Sequence, residues 1–241
     1  MKIGFTVTFH ESQKIKSDGH VIGHKFIKAL YDHCTFPFEL FIIDNQSEPQ
    51  FPMERYEHLT NIHYTYVENQ YLTGVTGAWN LGAYQAYENG CDLINICNND
   101  LYFNDTLDTY LSIILKDGNI DNTIFAPVTD GINPQHIQHY KAAQKGIHEA
   151  VGNRGGLQTL CGIMYTFTPN FYKQYGHTEE EFIPLEHKYN EGDGKWGGQE
   201  GAVMIMWENG AVMKVIKQGW FHHDKLFSYR TAKKIEITGG N

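Results

Sequence analysis

The sequence predicts a single α/β domain with a mostly parallel central sheet flanked by helices, and three observations carry that expectation. Short apolar runs that read as strands alternate with stretches whose apolar residues recur at helical spacing. The early runs each stop abruptly at polar residues, as buried strands do when their carboxyl ends open onto a ligand site. A chain of 241 residues, 41% hydrophobic and 20% charged, suffices for one α/β domain with a sizeable core.

Ile3, Phe5, Val7 and Phe9 alternate with Gly4, Thr6 and Thr8, giving a strand that ends at Thr8-Phe9-His10-Glu11. A helix follows from about Val21 to His33, with Phe26, Ala29 and Leu30 on one face. Phe38 to Ile43 is a second strand closing on Asp44-Asn45-Gln46-Ser47. Strand, helix and strand make a βαβ unit. Pro49 and Pro52 allow only a short helix in residues 48–62, and Ile62 to Val67 is a third strand ending at Glu68-Asn69-Gln70. Gly74 and Gly77 lead into a helix that buries Trp79, Ala83, Ala86 and Tyr87 and ends at Gly90.

Leu93 to Cys97 is the central buried strand, and it stops at Asn98-Asn99-Asp100. A carboxylate with two amides at a strand end suits a divalent cation shared with phosphate oxygens, although Asn and Asp also favour turns. Asn104 is the expected cap of a helix carrying Leu107, Tyr110, Leu111, Ile114 and Leu115, and Thr123 to Val128 is a further strand. Residues 129–157 read as a long polar, Gly-rich connection, expected to close over bound ligand, with a short helix within 135–145. Its Arg154 is an isolated cation able to reach a diphosphate. Cys161 to Phe167 is a strand, Pro169 opens a short helix, and Trp196-Gly197-Gly198-Gln199-Glu200 opens another. Ala211 to Ile216 is a late strand, and Trp220-Phe221-His222-His223 closes the folded region. The domain is expected to span 1–230, followed by a fraying tail at 231–241.

A net charge of -9 argues against nucleic acid or an anionic membrane as partner. The four cysteines show no CxxC spacing and read as reduced thiols. No apolar run reaches signal-peptide or membrane-spanning length, which sets the expectation of a soluble, cytoplasmic protein.

Taken together, Glu68-Asn69, Gly74 and Gly77, Asn80-Leu81-Gly82 and Asn98-Asn99-Asp100 resemble a family 2-like glycosyltransferase of the GT-A fold, in its rhamnosyltransferase-like branch. The ends of the first two strands, Gly197 to Glu200 and the final Phe221-His222-His223 fit the same order, so the resemblance spans roughly residues 3–224. It implies transfer of a hexosyl or deoxyhexosyl group from a nucleoside-diphosphate sugar, UDP- or dTDP-linked, to a hydroxyl of a glycan or glycoconjugate. Mn²⁺ or Mg²⁺ is the implied cofactor. The sequence departs from the family in having one acidic residue in the metal motif and Gln199-Glu200 where Glu-Asp is usual.

On this resemblance Asp100 and His222 are the metal ligands. Asp44 corresponds to the carboxylate that recognises the base, although an Asx turn explains Asp44-Asn45 equally. Thr8, His10, Asn69, Gly77, Asn80, Asn98, Asn99 and Arg154 complete the expected donor site. Gly77 permits close backbone approach near a helix N-terminus, where anions are favoured. Glu200, after two glycines at a helix start, is the candidate general base of an inverting transfer. Dipole complementation is the competing account of Glu200. A nucleotidyltransferase would need a Gly-rich phosphate loop after the first strand, where Thr8-Phe9-His10-Glu11 stands instead. A non-catalytic nucleotide-sugar binder is the other alternative.

Overall fold

The computed structural model describes residues 1–11, 19–68, 74–132, 138–139, 147–150, 160–175, 203 and 206–224. The strands among them are β1 (Ile3–Phe9), β2 (Phe38–Asn45), β3 (Ile62–Val67), β4 (Leu93–Cys97), β5 (Leu101–Tyr102), β6 (Thr123–Thr129), β7 (Ile147–Ala150), β8 (Met164–Phe167) and β9 (Val212–His223). The helices are α1 (Gly19–His33), α2 (Gly74–Glu88), α3 (Leu107–Ile114) and α4 (Pro169–Tyr175), with a 3-10 turn at Met53–Tyr56. None of them is long and apolar enough to cross a membrane. All four cysteines are free.

The strands form one sheet in the order β3-β2-β1-β4-β8-β6-β9-β5, and β7 pairs with β9. The expected parallel arrangement holds for β3, β2, β1 and β4 and again for β6 with β9. The sheet as a whole is mixed, because β8 runs against both β4 and β6, while β5 and β7 run against β9. The carboxyl ends of β1, β2, β3, β4, β6 and β9 therefore share one edge. The chain order reverses beside β1, between β2 and β4, which is where open α/β sheets form their ligand crevice.

Two apolar layers cover the sheet. On one face Phe5, Val7 and Phe9 pack with Phe26 and Leu30 of α1 and with Tyr110 and Leu111 of α3. On the other face Trp79, Ala83 and Ala86 of α2 pack with Phe41, Ile94 and Ile96. The even positions of β1 are small because α2 lies against them. A Cβ on Gly82 would come within 1.6 Å of Thr6 Oγ1, so this glycine sets the helix–sheet spacing.

Several elements differ from expectation. Ile147–Ala150 lies inside the segment read as a connection, yet it is a sheet strand, so that part does not form a loose cover. Four residues are too short for alternation to stand out among the surrounding glycines. The N-cap of α3 is Thr106, whereas Asn104 precedes it and accepts the Thr106 N–H at 3.0 Å. The segments read as separate late elements are one twelve-residue strand, β9. Its register on β6 shifts between Pro127 and Val128, leaving 217–219 bulged. Pro127 has no N–H to give the ladder, so an interior strand tolerates it at such an irregularity.

The turn after β2 is organised by Asp44, which is fully buried. Its Oδ1 accepts the Ser47 N–H at 3.0 Å, and its Oδ2 accepts the Phe51 N–H at 2.8 Å and the Tyr64 hydroxyl at 2.7 Å. The carboxylate thus organises the turn, as aspartates at chain reversals do, although its bonds reach three and seven residues on. Asp44→Ala leaves all three donors unpaired, each at a cost of about 1–3 kcal/mol. Urea denaturation of this variant is expected to show a loss of roughly 3 kcal/mol or more. Wild-type stability with lost nucleotide affinity would instead make Asp44 a base-recognition group.

Candidate active site

The carboxyl edge gathers most of the described residues that the sequence singled out. Phe9 pairs in register with Asp44, and Val7 with Cys97, so Thr8 of β1 stands beside Asn98 and His10 follows the end of that strand. Thr8 Oγ1 is buried and has no hydrogen-bond partner among the described residues. His10 Nδ1 donates to the Asn45 carbonyl at 2.8 Å, which ties the end of β1 to the end of β2. Gly77 and Asn80 lie in the first half of α2, the helix that follows the carboxyl end of β3. Asn69, Arg154 and Glu200 fall outside the described residues.

Asn98 and Asn99 are half-buried in the turn that carries Asp100 off β4, and Asp100 itself is 3% exposed. The turn is held from both sides. Asn98 N–H donates to the Ile163 carbonyl at 2.9 Å, and the Asp100 carbonyl accepts the Asp224 N–H at 2.9 Å. Immediately after it, β5 pairs with the end of β9, setting Leu101 opposite His223 and Tyr102 opposite His222.

This pairing brings His223, not His222, to Asp100. His223 Nε2 lies 3.1 Å from Asp100 Oδ1. His222, the ligand the resemblance implied, points the other way and donates from Nδ1 to Asp130 Oδ2 at 2.7 Å. The cause is the period of two along a strand. In β9 the odd positions Met213, Val215, Gly219, Phe221 and His223 face inward, while Trp220 and His222 face out. That alternation is present in the sequence, but Lys217-Gln218-Gly219 interrupts it.

Both ring nitrogens of His223 face oxygen atoms that only accept. Nδ1 is 3.2 Å from the Gly131 carbonyl, and Nε2 meets the Asp100 carboxylate. The neutral ring with its proton on Nδ1 leaves Nε2 to the Asn98 amide, whereas protonation of both nitrogens, giving the imidazolium, satisfies these two oxygens. Burial opposes that charge, but the hydrogen bond and charge of Asp100 outweigh it, helped by Gly131 and Asp130, and the pKa of His223 is raised. Asn98 Nδ2 approaches the same Nε2 to 3.4 Å.

Asp130, which follows β6, was not singled out from the sequence. Its Oδ1 accepts the His223 N–H at 2.9 Å while its Oδ2 holds His222. Burial pushes its pKa up, but the His223 N–H and His222 bonds prevail and hold it below the usual carboxylate range. Its signal was a polar strand end, Thr129-Asp130-Gly131, of the kind that marked Asp100. Gly131 is required here, since a Cβ would lie 1.9 Å from the His223 carbonyl oxygen. Asp130, Gly131, His139, Trp220, His222 and His223 line a cleft of about 590 Å³.

Neither a protein-family model nor a curated protein sequence matches the chain. Solved structures match its fold at low identity. TarS 1–349 of S. aureus aligns over 99% of this chain and 65% of its own, with a TM-score of 0.58 and 13% identity. The same fragment in complex with UDP-GlcNAc covers 92% of this chain and 58% of its own, with a TM-score of 0.59 and 14% identity. GalNAc-T7 with UDP, GalNAc and Mn²⁺ covers 92% of this chain and 43% of its own, with a TM-score of 0.63 and 12% identity. The chain thus spans less than two thirds of the length of each of these structures. The likeness is one of fold, and the chain has the single-domain GT-A fold.

Proposed function

We propose that the protein is a metal-dependent glycosyltransferase. It moves a hexosyl or deoxyhexosyl group from a UDP- or dTDP-linked sugar to a hydroxyl of a glycan or glycoconjugate. The observation that carries this reading is the Asp100–His223 pair at the carboxyl edge of the sheet. It is supported by the fold shared with structures solved with UDP-GlcNAc or with UDP and Mn²⁺. The order of the sequence motifs favours the rhamnosyltransferase-like branch.

The pair fits a divalent ion. Asp100 Oδ1 and His223 Nε2 are 3.1 Å apart. Ligand bonds of about 2.1 Å place neighbouring octahedral donors about 3 Å apart. The Gly131 carbonyl holds Nδ1–H, leaving Nε2 to ligate, as metal-bound histidines are usually oriented. Among the described residues no group of three or more His, Cys, Asp or Glu side chains is placed to hold an ion. Phosphate oxygens and water therefore complete the shell in this proposal. A bound Mn²⁺ or Mg²⁺ supplies neutralisation of the charge that develops on the leaving diphosphate.

The chain's own residues do the rest. Thr8 Oγ1 and the amides of Asn98 and Asn99 offer hydrogen bonds to the donor, and Gly77 and Asn80 belong to the helix that opens near it. Asn69 and Arg154 join them on sequence grounds. Glu200 is the proposed base, accepting the acceptor's proton in an inverting transfer. His222, bound to Asp130, is left out of the metal shell.

Asp100→Asn and His223→Ala are each expected to weaken Mn²⁺-dependent UDP binding by about tenfold or more and to abolish Mn²⁺-dependent sugar transfer. His222→Ala should keep the Mn²⁺-dependent UDP binding. Calorimetry with UDP and Mn²⁺ reads this directly, and unchanged metal dependence in His223→Ala sinks the assignment. Metal affinity should also depend on pH in one direction. Protonated His223 cannot ligate, so affinity falls as pH drops through its raised pKa, by about tenfold per unit below it. A flat profile from pH 8 to pH 6, or a rise toward acid, contradicts the pair. Glu200→Gln is expected to lower transfer by about 10² to 10⁴ with UDP affinity unchanged. A small melting shift with normal transfer would leave Glu200 only a helix-dipole role.

A further inference from the structure

The outward face at the end of β9 carries features that the donor site does not use. Trp220 is 36% exposed, and it is the one aromatic among the large hydrophobic side chains exposed in the described residues. The exposed part of this indole forgoes the burial that such an apolar surface normally gains. Its backbone is nonetheless fixed. The Trp220 N–H donates to Thr106 Oγ1 at 3.0 Å, and its carbonyl accepts from Asn104 Nδ2 at 2.7 Å. The preceding Gly219 seats the strand flush on α3, since a Cβ there would lie 2.5 Å from the Tyr110 ring. The ring is therefore presented from a clamped backbone.

Two residues along on the same face, His222 is also pinned. Asp130 holds its Nδ1, and the Tyr102 ring stacks beside it at 5.9 Å between centroids and 22° between planes. Trp220, His222, Asp130 and Asp224 all line the 590 Å³ cleft that His223 also reaches. A flat aromatic ring next to two carboxylates and a pinned imidazole matches a neutral, polyhydroxylated ring. The weakly positive C–H face of a pyranose packs on the electron-rich indole, and its hydroxyls bond to the polar rim. The carboxylates of Asp130 and Asp224 on this lining disfavour an anionic occupant.

We infer that this rim is an acceptor subsite that binds a neutral pyranoside, with Trp220 as the platform and His222 and the neighbouring carboxylates as its polar contacts. The inference rests on the glycosyltransferase reading above. Trp220 stands on β9, toward the β5 end of the sheet, while Thr8 stands on β1 and His10 just after it, on the opposite side of β4. A donor held along β1 and β4, meeting the cleft at His223, leaves the Trp220 rim for the second substrate.

The test is to titrate ¹⁵N-labelled full-length protein with methyl β-D-glucopyranoside, methyl β-D-galactopyranoside and methyl N-acetyl-β-D-glucosaminide. The Trp220 indole resonance, identified by its loss in Trp220→Phe, is expected to shift saturably with at least one of them and not with glycerol. Calorimetry should then show that glycoside affinity falls about tenfold in Trp220→Ala, while Trp220→Phe, which keeps a flat ring, stays within about threefold. Binding of UDP with Mn²⁺ should stay within about twofold in both variants. A Trp220 resonance unmoved by all three glycosides, or wild-type affinity in Trp220→Ala, overturns the subsite. If that happens while UDP and Mn²⁺ still bind, the donor reading stands alone. If a glycoside binds at Trp220 but UDP with Mn²⁺ does not, the donor reading fails and the sugar site remains.

Discussion

The candidate site depends on a two-residue ladder between β5 and the end of β9. Leu101 opposes His223 and Tyr102 opposes His222, and the Asp224 N–H closes onto the Asp100 carbonyl at 2.9 Å. Residues from two distant parts of the chain meet only because this ladder forms. Its register is restrictive, since a slip of one residue would exchange the faces of His222 and His223. Asp130 and Gly131 lock that register from the side of β6. The first takes the His223 N–H, and the second leaves room for the His223 carbonyl.

The bulge at 217–219 serves the same end. It lets β9 pair with β6 along its first half and still arrive at β6 again through Trp220 and Phe221. Phe221 goes into the core against Phe103 and Tyr110, with ring centroids 5.2 Å and 5.7 Å apart. Burying such a ring stabilises by about 1.5–3 kcal/mol. That apolar anchor precedes the two histidines and fixes the phase that puts them on opposite sides of the strand.

The polar groups at this edge oppose folding as much as they assist it. A carboxylate as buried as Asp100 is costly unless paired, and His223, whose protonation Asp100 favours, stands 3.1 Å away as its partner. In the proposed metal-bound form, an ion would take the place of that proton. Asp44 presents the contrasting case. It is buried at the end of β2, but two backbone N–H groups and a tyrosine hydroxyl occupy it, so the same residue type organises a turn.

The sequence by itself determined the elements whose periodicity is long and cleanly punctuated. β1, β3 and β4 stand where alternation, apolar runs and polar strand ends place them, and α2 ends before Gly90 as expected. Polar strand ends also marked the ligand edge, because buried strands seldom close on Asn and Asp without reason. Tertiary structure alone decided the rest. β5 has two residues and β7 four, too short for any period, and their strand state comes from pairing with β9. The choice of His223 over His222 at Asp100 followed from the phase of β9, which the bulge hides from a local reading. Asp44 and Asp130 look alike as aspartates at strand ends, and only the partners folded around them separate a turn from a site. Local pattern encodes which face of an element is buried, whereas the identity of the neighbour across a long loop is set by packing.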